Sequence, residues 1–507
     1  MDGRNLIGYR YSALADQVMK SFDPATQSWL AGQFHKASPQ EIDQAMALAE
    51  GAADAYGNTS GRDRARFLRS IADEIMALGD SLIQRAVQES GLPEGRLKGE
   101  RGRTVNQLRL FADVAEAGDW QEASIDRAEP DRQPFPKADI RRILLPLGPV
   151  VVFTASNFPL AFSTAGGDTA SALAAGCPVV VKAHESHLGT NALVSWAIRQ
   201  AAEKTAMPEG VFSSLNGSGP ELGQALVKHP LAKAIAFTGS FGAGKALFDA
   251  AAQRPVPIPV FAEMGSINPV LIFDSVLQNK AAEVAQQLAG SITLGVGQFC
   301  TNPGLLIARQ SPELDRFVQL LADALKAVVP ATMLSEKVCT EYDKGRQELL
   351  TEQGVSLEGE SSLDGASLGG RPAVASVTAA DFVANHRLQR EVFGPFSLVV
   401  RCADVEEMLN VVRSLEGQLT GTFMGEVTEL KAHPALVSAL QARVGRVLFN
   451  GVPTGVEVCA SMQHGGPYPA TTDARFTSVG TAAIKRFARP VAFQNWPEEL
   501  LPDGLKG

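Results

Sequence analysis

Between residues 148 and 262 the sequence repeats one phrase, a short β-rich run followed by a stretch with helical spacing. Val150-Val151-Val152-Phe153 leads to Ala161–Leu173, and Val179-Val180-Val181-Lys182 leads to Thr190–Lys204. Val211-Phe212-Ser213-Ser214-Leu215 then leads to Pro220–His229, and Ala234-Ile235-Ala236-Phe237 to Gly244–Ala252. Strands spaced by helices in this way predict an α/β fold with a doubly wound parallel sheet. Ligands of such sheets sit beyond the carboxyl ends of the strands.

The other segments organise around this block. At 507 residues the chain exceeds one hydrophobic core, and two or three domains are expected. Residues 1–125 read mostly as helix. Leu14–Ser21 is a short segment or turn; Pro39–Ala55 follows Ser38 as N-cap; Arg64–Gly79, Asp80–Ser90 and Thr104–Ala117 come next. Residues 126–147 form a proline-bounded extended excursion, and such a strand usually pairs outside its own domain, often with a partner subunit. A second α/β section spans 263–450, with strands near Pro269–Phe273, Leu305–Ala308, Ser397–Arg401 and Val447–Phe449. The tail from 484 to 507 carries Phe487, Val491, Phe493 and Trp496, an apolar set suited to an interface.

A net charge of −9 and a pI near 5.5 argue against nucleic acid or an anionic membrane as the main partner. The five cysteines include no C-x-x-C pair, which fits a reducing compartment better than a disulfide framework or zinc site. No H-E-x-x-H occurs, and no metal is expected. The longest apolar stretch, Ile143–Ala155, is interrupted by two prolines, so a cytoplasmic protein is expected.

Five places carry candidate chemistry. Cys300 lies in Gly297-Gln298-Phe299-Cys300-Thr301-Asn302-Pro303-Gly304, after a helix-like run broken at Gly295 and Gly297. A cysteine at such a junction is either an ordinary structural residue or a thiol open to ligand and backbone donors. Phe237-Thr238-Gly239-Ser240 with Gly244 and Lys245 joins a strand to a helix N-terminus, where free N–H groups bind phosphate. It nearly matches a P-loop, but Ala246 stands where Mg²⁺ binding needs Ser or Thr. A dinucleotide site remains. Lys182 and Glu185, at the end of the neighbouring strand, are either solvated or face a ribose, where the glutamate favours NAD over NADP. Glu263 lies between apolar residues and a turn, as a solvated group or as a desolvated general base. Asn157 is a turn residue or an amide donor to an oxyanion. The basic cluster Arg101-Gly102-Arg103, with Arg109 further on, is a solvated face or an anion-recognition surface.

Taken in order, Asn157-Phe158-Pro159, Phe237-Thr238-Gly239-Ser240 with Gly244, Glu263-Met264-Gly265 with Asn268-Pro269, Gly297-Gln298-x-Cys300 and Glu391-Val392-Phe393-Gly394-Pro395 resemble the aldehyde dehydrogenases over nearly the whole chain. Ser156 replaces the usual Trp, and Met264-Gly265-Ser266-Ile267 the usual Leu-Gly-Gly-Lys. The resemblance implies two doubly wound parallel-sheet domains plus a small β oligomerisation arm. Residues 1–125 and 148–262 would bind the dinucleotide and 263–450 would carry the thiol. Residues 126–147 and 484–507 would form the arm of a homodimer or homotetramer, and 451–483 a substrate-entrance and return segment. It also implies oxidation of a small-molecule aldehyde with NAD or NADP, Cys300 being the nucleophile, Glu263 the base and Asn157 the oxyanion donor. Glu391 and Phe393 would hold the nicotinamide end, Lys182 and Glu185 the adenosine ribose, and Gly239, Ser240 and Gly244 the pyrophosphate. Asn450–Val458, His464–Thr472 and Glu100–Thr104 look like the branch that oxidises 2-oxoglutarate semialdehyde (2,5-dioxopentanoate) to 2-oxoglutarate. Arg103 or Arg109 would then meet the substrate carboxylate. Long-chain aliphatic aldehydes, also handled in that branch, and succinate semialdehyde are the alternatives.

Overall fold

The valine-rich runs form the centre of the first sheet. In the computed structural model, which describes residues 2–506, five parallel strands lie in the order Val260–Glu263, Ala234–Thr238, Val150–Phe153, Val179–Lys182, Phe212–Leu215. Met1 and Gly507, at the outer ends of the ranges above, lie outside the described residues. The earliest of the five strands is central and later ones add on both sides, the doubly wound order. Register pairs Lys182 with Phe153 and Thr238 with Glu263, so four strands finish at one edge.

Three expectations need correction. Residues 2–35 are not helical: Asn5–Ile7 and Arg10–Ser12 extend the sheet antiparallel from Phe212–Leu215. Two small hairpins follow, Val18–Met19 with Phe34–His35 and Phe22–Asp23 with Ser28–Trp29. Leu14–Ser21 contains no helix, and the Glu41 carboxylate takes the Leu14 N–H at 3.2 Å. Second, the basic cluster lies inside a helix, Glu94–Ala117, that starts ten residues before Thr104. Its glycines cost up to about 1 kcal/mol each, offset by burial of Leu97, Leu108 and Phe111. Third, the helix expected from Ala161 begins at Gly167. Glu100 binds the N–H groups of Leu160 and Ala161 at 2.8 and 2.9 Å and holds the preceding turns. Pro39–Gly57 starts where expected, with a full capping box between Ser38 and Glu41.

The second sheet also has seven strands, ordered Ser356–Glu360, Ala373–Thr378, Phe396–Cys402, Leu305–Arg309, Val270–Ile272, Gln418–Met424, Val444–Phe449. Only its first pair is antiparallel. The chain passes from the carboxyl end of one sheet at Glu263 to the amino end of the other at Val270 through a short linker. The thiol loop ends where Leu305–Arg309 begins. Both sheets therefore present loops to one seam.

The proline-bounded excursion pairs within its own chain: Ile140–Pro146 is the middle strand between Ala488–Gln494 and Ser124–Asp126. Leu501 and Leu505 pack on Ile143, and the Arg141 guanidinium donates to the Leu505 carbonyl at 2.6 Å. Among the described residues no helix is long and apolar enough to cross a membrane.

Candidate active site

Three consecutive left-handed residues shape the thiol loop. Gly295, Val296 and Gly297 have φ of 55°, 60° and 65°. The conformation is costly for a β-branched residue, and Val296 is held there by burial. Gly297 cannot be replaced in place, since a Cβ would stand 2.3 Å from the Gly394 carbonyl carbon. Side-chain amides then fix the loop. Asn268 is fully buried, and its Nδ2 donates to the carbonyls of Cys300 (2.9 Å) and Asn302 (2.8 Å). Its Oδ1 accepts from Thr420 and Ser266 at 2.9 and 3.0 Å. Gln298 receives the Leu334 N–H at 3.0 Å. Asn157 donates one amide hydrogen to the Gln298 carbonyl at 3.1 Å, leaving its second for a ligand.

Against this loop stand an acid and an imidazole. His464 Nε2 is 3.5 Å from Cys300 Sγ and 3.0 Å from Glu263 Oε1. Ser478 Oγ donates to Glu263 Oε2 at 2.5 Å. Glu263 is 3% exposed and His464 1%. Burial alone would raise the Glu263 carboxyl. The His464 ring and hydrogen bonds from His464, Ser478 and Cys300 outweigh it and hold the group below the usual carboxylate range. The Cys300 thiol is pushed well above its ordinary range by burial first, then by the charge and hydrogen bond of Glu263 and by Glu391, with Arg103 opposing.

Cys300, Glu263 and Asn157 face one cavity of about 1650 Å³, and Glu185, Gly239, Ser240, Glu391 and Phe393 line it as well. Ser240 precedes the helix Phe241–Ala252 without a side-chain cap, which leaves the first-turn N–H groups free. Gly239 and Gly244 are enforced by packing: a Cβ on either would lie 2.7 Å from Phe237 or Met264. Gly265 permits the approach of Glu391, whose carboxylate oxygen would be 2.5 Å from a Cβ there. Glu391 is open to the cavity yet ringed by protein, which pushes its carboxyl up to about 7 against the pull of the Ser266 N–H. Lys182, at the end of its strand, and Gly244, in the first turn of that helix, do not themselves line the cavity. Burial lowers the Lys182 ammonium, with Glu185 opposing.

The arginines divide. A helix turns about 100° per residue, so Arg96, Glu100 and Arg103 share a face and Arg109 lies about 120° away from Arg103. Arg109 is a correction: it points to solvent and pairs with Asp73 at 3.2 Å, with its side chain 50% exposed. Arg103 lies 5.0 Å over the Phe162 ring, its Nε and Nη2 without a hydrogen-bond partner among the described residues. Sequence reasoning missed Arg96, which sits between Phe158 and Phe299 and donates to the Asn157 carbonyl at 2.8 Å. Its i, i+4, i+7 spacing with Glu100 and Arg103 was the available signal. Arg446 was missed too: it is electrostatically coupled to Cys300, its Nη atoms donate to the Gly455 and Pro453 carbonyls, and its Nε has no partner among the described residues. His464 and Ser478, also missed, lie in irregular segments where no spacing announces them.

Residues 11–468 match the aldehyde dehydrogenase family, and the chain belongs to it. It is 50% identical to alpha-ketoglutaric semialdehyde dehydrogenase 2 of Azospirillum brasilense, over 100% of this chain and 97% of that one. It is also 47% identical to an alpha-ketoglutaric semialdehyde dehydrogenase of Acinetobacter baylyi, over 93% of this chain and 90% of that protein. Among solved structures, a 1-pyrroline-5-carboxylate dehydrogenase superposes with a TM-score of 0.82 at 22% identity, covering 97% of this chain and 92% of its own. A betaine aldehyde dehydrogenase of Staphylococcus aureus, in complex with NAD⁺, gives 0.82 at 20% identity, covering 98% of each chain. These two establish the fold.

Proposed function

We propose that this aldehyde dehydrogenase oxidises 2-oxoglutarate semialdehyde to 2-oxoglutarate with NAD or NADP, through an acyl thioester on Cys300. The observation that carries the chemistry is the meeting of Cys300, Glu263 and His464, whose ligand atoms all lie within 4.8 Å of one another beside the large cavity.

The cavity fits a dinucleotide. Uncapped N–H groups after Ser240, glycines at 239 and 244, and Glu391 beside Phe393 supply a phosphate cradle and a ribose acceptor. Lys182 and Glu185 would hold the adenosine ribose, and Glu185 would disfavour a 2′-phosphate, which favours NAD. When bound, the nicotinamide supplies the acceptor for the aldehyde's hydride.

The protein's own groups do the rest. Cys300 rests as a thiol because burial disfavours its charge and the Glu263 carboxylate beside it adds to that. As the aldehyde carbonyl approaches, the thiol proton passes to Glu263 and the sulfur bonds to carbon. His464 Nε2 lies 3.5 Å from the sulfur and 3.0 Å from Glu263 Oε1, so a hydrogen on that nitrogen is shared with whichever atom carries the charge. The Asn157 amide and the Cys300 N–H stabilise the oxyanion. Once the acyl thioester has formed, Glu263 deprotonates water to hydrolyse it, with Ser478 orienting the carboxylate.

Two things support the substrate: relatives at 50% and 47% identity bear the alpha-ketoglutaric semialdehyde name, and Arg103, electrostatically coupled to the thiol, offers Nε and Nη2 unpartnered, with the single Nε of Arg446 beside them in kind. A carboxylate is the ligand such forks match. Residues 1–125 and 148–262 form the cofactor part, 263–450 the thiol part, and 451–483 the entrance and return segment. Residues 126–147 and 484–507 form an arm, whose sheet has edges at Ser124–Asp126 and Ala488–Gln494 for a homodimer or homotetramer. The enzyme works in the cytoplasm. The test is kcat/KM for 2-oxoglutarate semialdehyde, succinate semialdehyde and a fatty aldehyde, each with NAD and NADP. The dicarboxylic precursor is expected to lead; a higher value for the fatty aldehyde overturns the substrate assignment.

A further inference from the structure

The geometry points to a second use of the catalytic cluster: Cys300, Glu263 and His464 form a three-ligand site for a thiophilic divalent cation, Zn²⁺ in kind, which switches the enzyme off reversibly. One sulfur, one imidazole nitrogen and one carboxylate oxygen make a donor set suited to zinc. Bonds of about 2.0–2.3 Å in tetrahedral geometry place such donors about 3.3–3.6 Å apart. Here Sγ and Nε2 are 3.5 Å apart and Nε2 and Oε1 are 3.0 Å apart. The sulfur and the carboxylate oxygen lie within 4.8 Å of each other, so the carboxylate closes toward the sulfur on binding while Ser478 holds its other oxygen.

A second observation marks the site as ligand-seeking. His464 Nδ1 is buried without a hydrogen-bond partner among the described residues, while Glu263 Oε1 faces only His464 Nε2, at 3.0 Å. Binding balances simply. The thiol loses its proton to solvent, the imidazole proton moves from Nε2 to Nδ1, and the +2 cation faces a thiolate and a carboxylate, so the centre becomes neutral. Three protein ligands leave a fourth position for a water or a substrate oxygen, and Cys300 and Glu263 both line the cavity. A bound cation therefore masks the nucleophile and the base together. Hard cations are excluded: Mg²⁺ prefers six oxygens at about 2.1 Å.

Binding can be read without turnover, which separates this inference from the substrate assignment. Titration of the full-length chain with Co²⁺ should give one equivalent bound, with tetrahedral d–d absorption and a thiolate-to-cobalt charge-transfer band in the near ultraviolet. The band should vanish in Cys300→Ser and persist in Cys459→Ser. Zn²⁺ should compete with the aldehyde, block alkylation of Cys300, and be reversed by a chelator, whereas millimolar Mg²⁺ should do none of these. His464→Ala and His464→Gln should each weaken Zn²⁺ at least tenfold. A charge-transfer band retained in Cys300→Ser, or unchanged zinc affinity in a folded His464 variant, overturns the site.

Discussion

Glu263→Gln moves two steps in opposite directions, so it tests the electrostatics of the centre directly. The Cys300 sulfur and the Glu263 carboxylate lie within 4.8 Å of each other. At an effective dielectric constant of about 20, two like charges at that separation repel by about 3.5 kcal/mol. Cys300 is partly open to the cavity, and water there reduces the figure. Even a residue of about 1.4 kcal/mol changes the thiolate population tenfold. The sign follows from the causes: burial raises the thiol first and the carboxylate raises it further, so removing that charge lowers the thiol part of the way and increases thiolate at any pH below its ionisation range. Iodoacetamide follows thiolate. Alkylation of Cys300 at neutral pH should therefore quicken at least tenfold in the variant, and its pH profile should shift to lower pH. Steady-state oxidation should fall by about 10²–10⁴, the range for loss of a general base, after a burst of one equivalent of reduced nicotinamide per site. Alkylation that is unchanged or slower in Glu263→Gln would refute the argument, because the carboxylate would then add nothing to what burial does to the thiol.

The other expectations are simpler. Cys300→Ala should abolish oxidation while NAD affinity, measured by fluorescence titration, stays within about threefold; residual turnover would remove the nucleophile assignment. Glu185→Ser should raise the NADP to NAD ratio of kcat/KM about tenfold, since a fixed negative charge beside the ribose is lost. Arg103→Met should raise KM for 2-oxoglutarate semialdehyde by tenfold or more, the loss of about 1.5–3 kcal/mol per charged hydrogen bond, with KM for a fatty aldehyde nearly unchanged. Arg109→Ala should change neither KM, because its pairing with Asp73 is exposed.

Much of this architecture is visible in one dimension, for a physical reason. Val150–Phe153 and Val179–Lys182 are buried throughout their first three residues, so their β-branched runs stand out from any helical pattern. Ser38 and Glu41 likewise encode a helix start locally. The first 35 residues carry no such code: Asn5–Ile7 is a strand only because Phe212–Leu215, some two hundred positions later, offers an edge. The Glu94 start was obscured by glycines, which lower local propensity while burial of Leu97 and Glu100 restores the helix. In the site, the ordered motifs carried Cys300, Glu263 and Asn157. His464 was hidden because its role comes from meeting two residues 164 and 201 positions away, and no local spacing reports that. The same reason defeats the search for closely spaced metal ligands, since the three candidate donors come from three distant segments.

Arg103 offers unbonded nitrogens to a substrate and, through its charge, also opposes the rise of the Cys300 thiol. Selectivity and vigour are thus tied together at this one position. An engineer who trades the guanidinium for an apolar side chain to admit fatty aldehydes will also dull the sulfur, and kcat should drop for every aldehyde alike. Broadening what the enzyme accepts then calls for a replacement cation elsewhere near the sulfur, or for remodelling that leaves residue 103 in place.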